Sequence, residues 1–269
     1  MPQDPLISVV IPYSSEHTPK EMLERAIDSV ESQTINTEPI MIEGGNNVAE
    51  ARNIGLEKAS SRFVAFLDAD DYWKPTKLAR QYRMLRKENC ALCLTTTVRS
   101  DGTYNDVTAT SDFEFVKKLV IGDLSNITSS ILVDTKQINA RFDESLYRFE
   151  DYLFVLEAVY DGGYCYIDEP LTCVEKHEDG LSANEEFDRK LDSYHQLYEQ
   201  AADLFPKLDR FSDEYWAQVW YNSGRVYYYR DDFQSSLSYL WDSFVTKPRI
   251  KTVAALGLSA MKYGISKST

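Results

Sequence analysis

At 269 residues the chain has room for one large domain, or for a smaller domain with an appendage. Its 43% apolar and 13% aromatic content supports a sizeable core and excludes a disordered chain. The 29 basic and 43 acidic residues give a net charge of −14, which argues against a nucleic-acid binder and a polybasic membrane anchor.

In chain order, Leu6 to Pro12 reads as a first buried strand stopped by its proline. A helix follows with Met22, Leu23, Ala26, Ile27 and Val30 on one face, and Ile40–Ile42 is a short second strand. Asn46 or Asn47 caps a helix from Val48 to Ala59. Phe63 to Leu67, five apolar residues in a row, reads as a fully buried strand of a parallel sheet. Strand alternating with helix in this way is half of a doubly wound sheet. Pro75 suits the first turn of the next helix, which carries Leu78, Tyr82 and Leu85. Further strands are expected at Ala91–Val98 and Ser129–Val133. A tight turn is expected at Asp101-Gly102, and helices at Phe113–Ile121 and Glu150–Tyr160, the second ended by Gly162-Gly163. Tyr164–Ile167 and Leu171–Val174 read as two strands parted by Pro170.

Beyond about Ser182 the strand signals stop. Helical patterns cover Phe187–Leu204, Asp213–Tyr229, Phe233–Val245 and Ile250–Tyr263. The expected division is therefore 1–182 for an α/β domain and 183–269 for a helical extension. Trp220, Gly224, Tyr227, Ser236, Leu240, Ser243 and Pro248 have the spacing of one tetratricopeptide-type hairpin, with serines in place of two alanines. Such a unit either packs on the first domain or offers a docking surface. No apolar run precedes the first strand, and Val253–Met261 is too short to cross a bilayer, so a cytoplasmic protein is expected. Cys90, Cys93, Cys165 and Cys173 fit reduced thiols there. The Cys90-x-x-Cys93 spacing lies in an apolar run with no second pair, which favours core packing over zinc.

The chemistry concentrates where Asp68-Ala69-Asp70-Asp71 follows the central strand, since open α/β sheets bind ligands at the carboxyl ends of their strands. Hard oxygens two residues apart suit Mg²⁺ or Mn²⁺ completed by waters and phosphates; a solvated acidic loop is the plainer alternative. Four further motifs stand in order around it. They are Ser8-Val9-Val10-Ile11-Pro12-Tyr13, Ala51-Arg52-Asn53-Ile54-Gly55, Glu150-Asp151, and Pro170-Leu171 followed by His177-Glu178-Asp179-Gly180. Together they resemble the signature of family 2 nucleotide-sugar glycosyltransferases over Leu6 to about Ser182.

The resemblance implies an α/β GT-A fold: a Rossmann-like, mostly parallel mixed sheet flanked by helices, here with an all-helical C-terminal extension. It implies inverting transfer of a sugar from a nucleoside diphosphate, UDP-sugar favoured, to a hydroxyl of a glycan or lipid-linked glycan. Asp151 would be the base and Glu150 would orient it or the acceptor. Pro12, Tyr13 and Glu43 would line the nucleotide base, with Glu43-Gly44-Gly45 standing where the family commonly has Asp-Asp-Gly. Arg52 would face the diphosphate, Asp68 the ribose or a metal-bound water, and Asp70 the Mg²⁺ or Mn²⁺, completed by Asp68 and His177. A lipid-linked acceptor would bring the enzyme to the inner face of the membrane as a peripheral protein. Two rival readings are a silent nucleotide-sugar-binding scaffold acting through its helical part, and a nucleotidyltransferase. The second lacks the Gly-rich, basic loop expected after the first strand.

Overall fold

A computed structural model describes residues 6–45, 47–105, 109–122, 124, 128–175 and 187–266. These divide into two compact units at Leu204–Phe205, with Val120–Gly122 grouped with the second. The helix Phe187–Leu204 (α6 below) thus belongs to the first unit, whereas the sequence reading began the extension at residue 183.

In the first unit β1 (Ile7–Tyr13), α1 (Lys20–Glu31), β2 (Thr37–Glu43), α2 (Val48–Lys58) and β3 (Phe63–Phe66) alternate as expected. There follow β4 (Tyr72–Trp73), α3 (Lys77–Glu88), β5 (Leu92–Arg99), β6 (Tyr104–Asn105), α4 (Asp112–Ile121), a short 3-10 turn at Thr128–Ser130 and β7 (Leu132–Asp134). α5 (Glu150–Gly162), β8 (Tyr164–Val174) and α6 complete the unit. Among the described residues the strands form one mixed sheet in the order β2-β1-β3-β7-β5-β8-β4, with β6 hydrogen-bonded to β5. β1 runs parallel to β2 and β3, and β5 parallel to β8; β7 enters antiparallel between β3 and β5.

Every residue of β3 is buried, as its unbroken apolar run requires, and Ile7, Val9 and Ile11 of β1 share its core. α1 buries Ala26 and Val30 against that layer, with Leu23 and Ile27 beside them. Gly55 lets α2 approach β1: a Cβ there would stand 2.2 Å from Val10 Cγ1.

Some local expectations gave way to tertiary pairing. Pro12 does not stop β1, because β3 pairs only with Ile7–Val10 and leaves Pro12 at a position where its missing N–H is tolerated. Pro170 does not split the late strand either: β8 is continuous, and the ladder to β5 shifts register on both sides of Thr96, which faces Pro170. Tyr72-Trp73 became a strand by pairing with Cys173 and Thr172. α3 starts after Thr76, so Pro75 precedes the helix. All four cysteines are free and buried.

The second unit holds a 3-10 turn (Pro206–Phe211), α7 (Ser212–Tyr229), α8 (Phe233–Thr246) and α9 (Ile250–Ser266). α7 and α8 form an antiparallel hairpin. Gly224 makes room for Leu240, whose Cγ lies 2.6 Å from where a glycine-replacing Cβ would sit. Ser236 and Ser243, in place of alanines, donate to the carbonyls of Gly224 and Ala217 at 2.8 and 2.7 Å, so their hydroxyls are satisfied in the interior.

Candidate active site

The site is built where β1, β2 and β3 end together. Their parallel register brings Tyr13, Glu43 and the Asp68–Asp71 turn to one edge of the sheet. Tyr13 and Glu43 are direct partners across β1 and β2, and the Tyr13 hydroxyl is pushed up by desolvation and then by its hydrogen bond to Glu43. Pro12 is buried one residue earlier.

α2 starts beside them. Asn47 is extended at φ −157° and its side chain accepts the Glu50 N–H at 2.9 Å, which satisfies one of the helix's unpaired amides. One turn on comes Arg52, 4% exposed, whose burial demands partners. It has two: Nη1 donates to Glu150 Oε1 at 2.7 Å and Nη2 to Asp68 Oδ1 at 2.8 Å. Its guanidinium also lies over Phe142, which stacks on Phe154. Burial alone would lower the Arg52 pKa, but Asp68, Glu150 and Asp151 hold it raised, so it is a fixed cation. Asn53 continues the clamp by exchanging hydrogen bonds with the Phe142 backbone and donating to Glu144. The Ala51-Arg52-Asn53-Ile54-Gly55 motif therefore ties the segment before α5 to the end of β3, while Gly55 seats the helix.

The turn after β3 is held by the Thr128–Ser130 turn. Ser129 Oγ accepts the Asp68 N–H at 3.1 Å and donates to Asp71 Oδ2 at 2.6 Å; its carbonyl accepts Trp73 Nε1 at 2.7 Å. Asp71 is buried, takes the Glu175 N–H on its other oxygen, and has its pKa raised by burial and then by Asp68 and Asp70. Asp71 braces the turn, while Asp68 and Asp70 stay partly accessible. The Asp70 carbonyl accepts Arg25 Nη2 at 2.9 Å. Beneath the turn Lys77 is wholly buried, 4.0 Å from the Trp73 ring centroid, with Nζ donating to Gln81 Oε1; burial pulls its pKa well down.

Glu150 and Asp151 open α5, directly after Phe149, a non-glycine residue held at φ +70°. Asp151 Oδ2 accepts the Thr128 hydroxyl at 2.8 Å. Its pKa is pushed up to about 6, by burial and then by Glu150, against the downward pull of Arg52 and Thr128. The Thr128–Ser130 turn thus touches both the Asp151 carboxylate and the carboxylate turn after β3. Sequence reasoning gave Thr128 no part in the site and read Ser129 only as the start of a strand; their role depends on which elements cross there. His177 lies outside the described residues, as does Asn46.

Among the described residues no group of three or more His, Cys, Asp or Glu side chains is arranged to hold a metal ion. The donor set is nevertheless of the right chemistry: two hard carboxylates, Asp68 and Asp70, two residues apart on a turn braced from behind. Mg²⁺ and Mn²⁺ suit one or two carboxylates with waters and phosphate oxygens supplying the rest.

A family model described as glycosyl transferase family 2 matches residues 8–149, more than half of the chain. The chain belongs to glycosyl transferase family 2. The match ends just before Glu150-Asp151. This family 2 chain is 32% identical to a UDP-Glc:alpha-D-GlcNAc-diphosphoundecaprenol beta-1,3-glucosyltransferase of Escherichia coli, over 32% of its own length and 43% of that protein's. It spans at most 53% of the curated relatives it matches. In structure it resembles S. aureus TarS residues 1–349 in complex with UDP-GlcNAc, with a TM-score of 0.55, 14% identity, and coverage of 97% of this chain and 92% of that one. It also resembles a Pyrobaculum calidifontis mannosyltransferase in complex with GDP-Man and Mn²⁺, with a TM-score of 0.59, 13% identity, and coverage of 96% and 80%. At these identities the likeness is one of fold, and that fold is GT-A.

Proposed function

We propose that this family 2 chain is an inverting glycosyltransferase that moves a sugar from a nucleoside diphosphate, UDP-sugar favoured, to a hydroxyl of a glycan or lipid-linked glycan. The observation that carries the reading is the Arg52 bridge. One buried guanidinium bonds both Glu150, beside the proposed base Asp151, and Asp68 of the Asp68–Asp71 turn, which supports reading the two as one site. The E. coli relative, named for UDP-Glc and a diphosphoundecaprenol acceptor, supports the donor and acceptor class.

In this reading Tyr13, Pro12 and Glu43 flank the nucleotide base at the ends of β1 and β2. Asp68 takes the ribose side, and Asp70, with Asp68, is the protein's hold on Mg²⁺ or Mn²⁺, with His177 completing the set. Held there, a divalent cation would supply Lewis-acid neutralisation of the charge that grows on the departing diphosphate. Asp151 accepts the proton of the acceptor hydroxyl as its oxygen bonds the anomeric carbon. The bond to the diphosphate breaks on the opposite face and its electron pair leaves with the phosphate, giving inversion. A carboxylate raised to about 6 suits this work near neutral pH, being ionised yet basic. Arg52 keeps Glu150 and Asp68 in place, and its positive charge lowers the cost of bringing an anionic donor to an acidic protein. Among the described residues no helix is long and apolar enough to cross a membrane. A lipid-linked acceptor is met by peripheral association.

The test is calorimetry and turnover on Asp151→Asn and Asp70→Ala with UDP-sugars and Mn²⁺. Asp151→Asn binds donor as the wild type does and transfers nothing; Asp70→Ala loses metal-dependent donor binding. Normal transfer by Asp151→Asn overturns the assignment of the base.

A further inference from the structure

We propose that the outer face of α9 docks on an anionic phospholipid surface. α9 is built inside out. Its packed side buries Thr252 and Ser259, whose hydroxyls meet Ser243 and Ser236 of α8 at 3.4 and 2.9 Å. Its apolar residues face the other way: Ile250, Val253, Leu258, Met261 and Ile265 recur at helical spacing and are 52–91% exposed. A continuous apolar face of this kind on a soluble surface marks an interaction site.

The charge pattern selects the occupant. From Lys247 to Thr269 the sequence has five basic residues and no acidic one. Phe205–Thr269 holds nine basic and six acidic residues in a chain of net −14, so the rest of the protein carries the entire negative excess. Lys262 is exposed on α9. Arg249 Nη1 and Lys251 Nζ both donate to Gln218 Oε1 at 2.8 Å, a neutral partner that leaves their charge uncancelled; among the described residues of this segment Lys247 is the one paired with an acidic side chain, Glu214. An apolar face bordered by cations is the pattern of a helix lying in the plane of an anionic bilayer interface. A second copy of this chain is a poorer occupant, since docking α9 on α9 would set two basic, like-charged surfaces against each other. The inference deepens the peripheral-membrane part of the reading above by naming the surface. It is tested without donor or acceptor, so its failure leaves glycosyl transfer standing.

The experiment is flotation of the full chain with vesicles of phosphatidylcholine alone and of equal phosphatidylcholine and phosphatidylglycerol. Wild type floats with the anionic vesicles at about 0.1 M salt, not with the neutral ones, and release follows as salt rises toward about 1 M. Leu258→Glu with Met261→Glu, both on the exposed face, lowers the bound fraction at least about tenfold. Its circular dichroism and Tm match wild type. Lys262→Glu lowers binding by a few fold, read at constant salt. No flotation on anionic vesicles overturns the proposal, as does a double variant that floats like wild type. A wild-type dimer in light scattering that the double variant converts to monomer, without vesicle binding, assigns the face to a second copy and also overturns it.

Discussion

Arg52 and Glu150, 98 residues apart in the chain, meet through a 2.7 Å hydrogen bond inside the protein. The bond makes Arg52 a structural member of the site, with its terminal nitrogens already given to two carboxylates. Removing it strands Glu150 and Asp68 as partly buried charges. Arg52→Ala should cost about 3–5 kcal/mol of stability, the range for breaking one side of a buried ion pair. Arg52→Lys keeps the charge and cannot make both bonds at once, so it should retain fold and lose turnover by about 10²-fold through misplacement of the reacting groups. Thermal melts beside initial rates check both. An Arg52→Ala protein that melts with the wild type removes the bridge from the account.

The raised pKa of Asp151 has consequences for stability as well as rate. The folded protein holds that proton up to about pH 6, while the unfolded chain releases it near the ordinary value of 3.8. Between those values the native state binds more protons, so stability falls as pH rises through the window and the penalty persists above it. Asp151→Asn should therefore melt higher than wild type at pH 7, by about 3 kcal/mol of stability, with the difference gone below about pH 4. Transfer by the wild type should rise with pH through an apparent pKa near 6. Melting curves from pH 4 to 8 read the first effect; if wild type and variant melt alike at every pH, the carboxylate is not strained in the fold.

Thr128 touches Asp151 through its hydroxyl and is itself 4% exposed. That hydrogen bond favours the ionised carboxylate. Thr128→Val, close in shape, should move the acidic limb of the rate profile upward and lower the rate at pH 6 more than at pH 8. Thr128→Ser should restore the profile, and donor KM should stay unchanged in both. A loss that is equal at all pH values points to packing alone.

Gly55 gives a test of how α2 is seated. A Cβ at this position meets Val10 Cγ1 at 2.2 Å, so Gly55→Ala must push the helix or the strand. Overpacking of this kind costs about 1–3 kcal/mol. Adding Val10→Ala should recover part of the loss, since the pair couples through direct contact. A single variant as stable as wild type shows that α2 shifts at no cost.

Residue order alone carried much of the fold. Unbroken apolar runs gave the buried strands, helical spacing gave α1, α3, α5 and the late helices, and the Asn46-Asn47 pair marked the start of α2, where Asn47 is the cap. Arg52, Asp68, Glu150 and Asp151, which the fold brings together, were singled out by the resemblance of the spaced motifs to family 2 and not by the strand and helix signals. The strand and helix signals are local: each depends on residues within a few positions of one another, where backbone geometry repeats. Residue order could not tell that Pro12 and Pro170 lie inside strands, because a proline is tolerated or not according to what pairs beside it.

What only the tertiary structure decided is of another kind. That Arg52 bonds two carboxylates, that Thr128 and Ser129 reach from one turn to Asp151 and to the Asp68–Asp71 turn, and that α9 buries its hydroxyls while exposing its apolar side are facts about which elements cross. Helical periodicity fixes that α9 has two faces and says nothing of which one is turned inward. That choice belongs to the neighbouring helix, where the Ser236 and Ser243 hydroxyls meet those of Ser259 and Thr252.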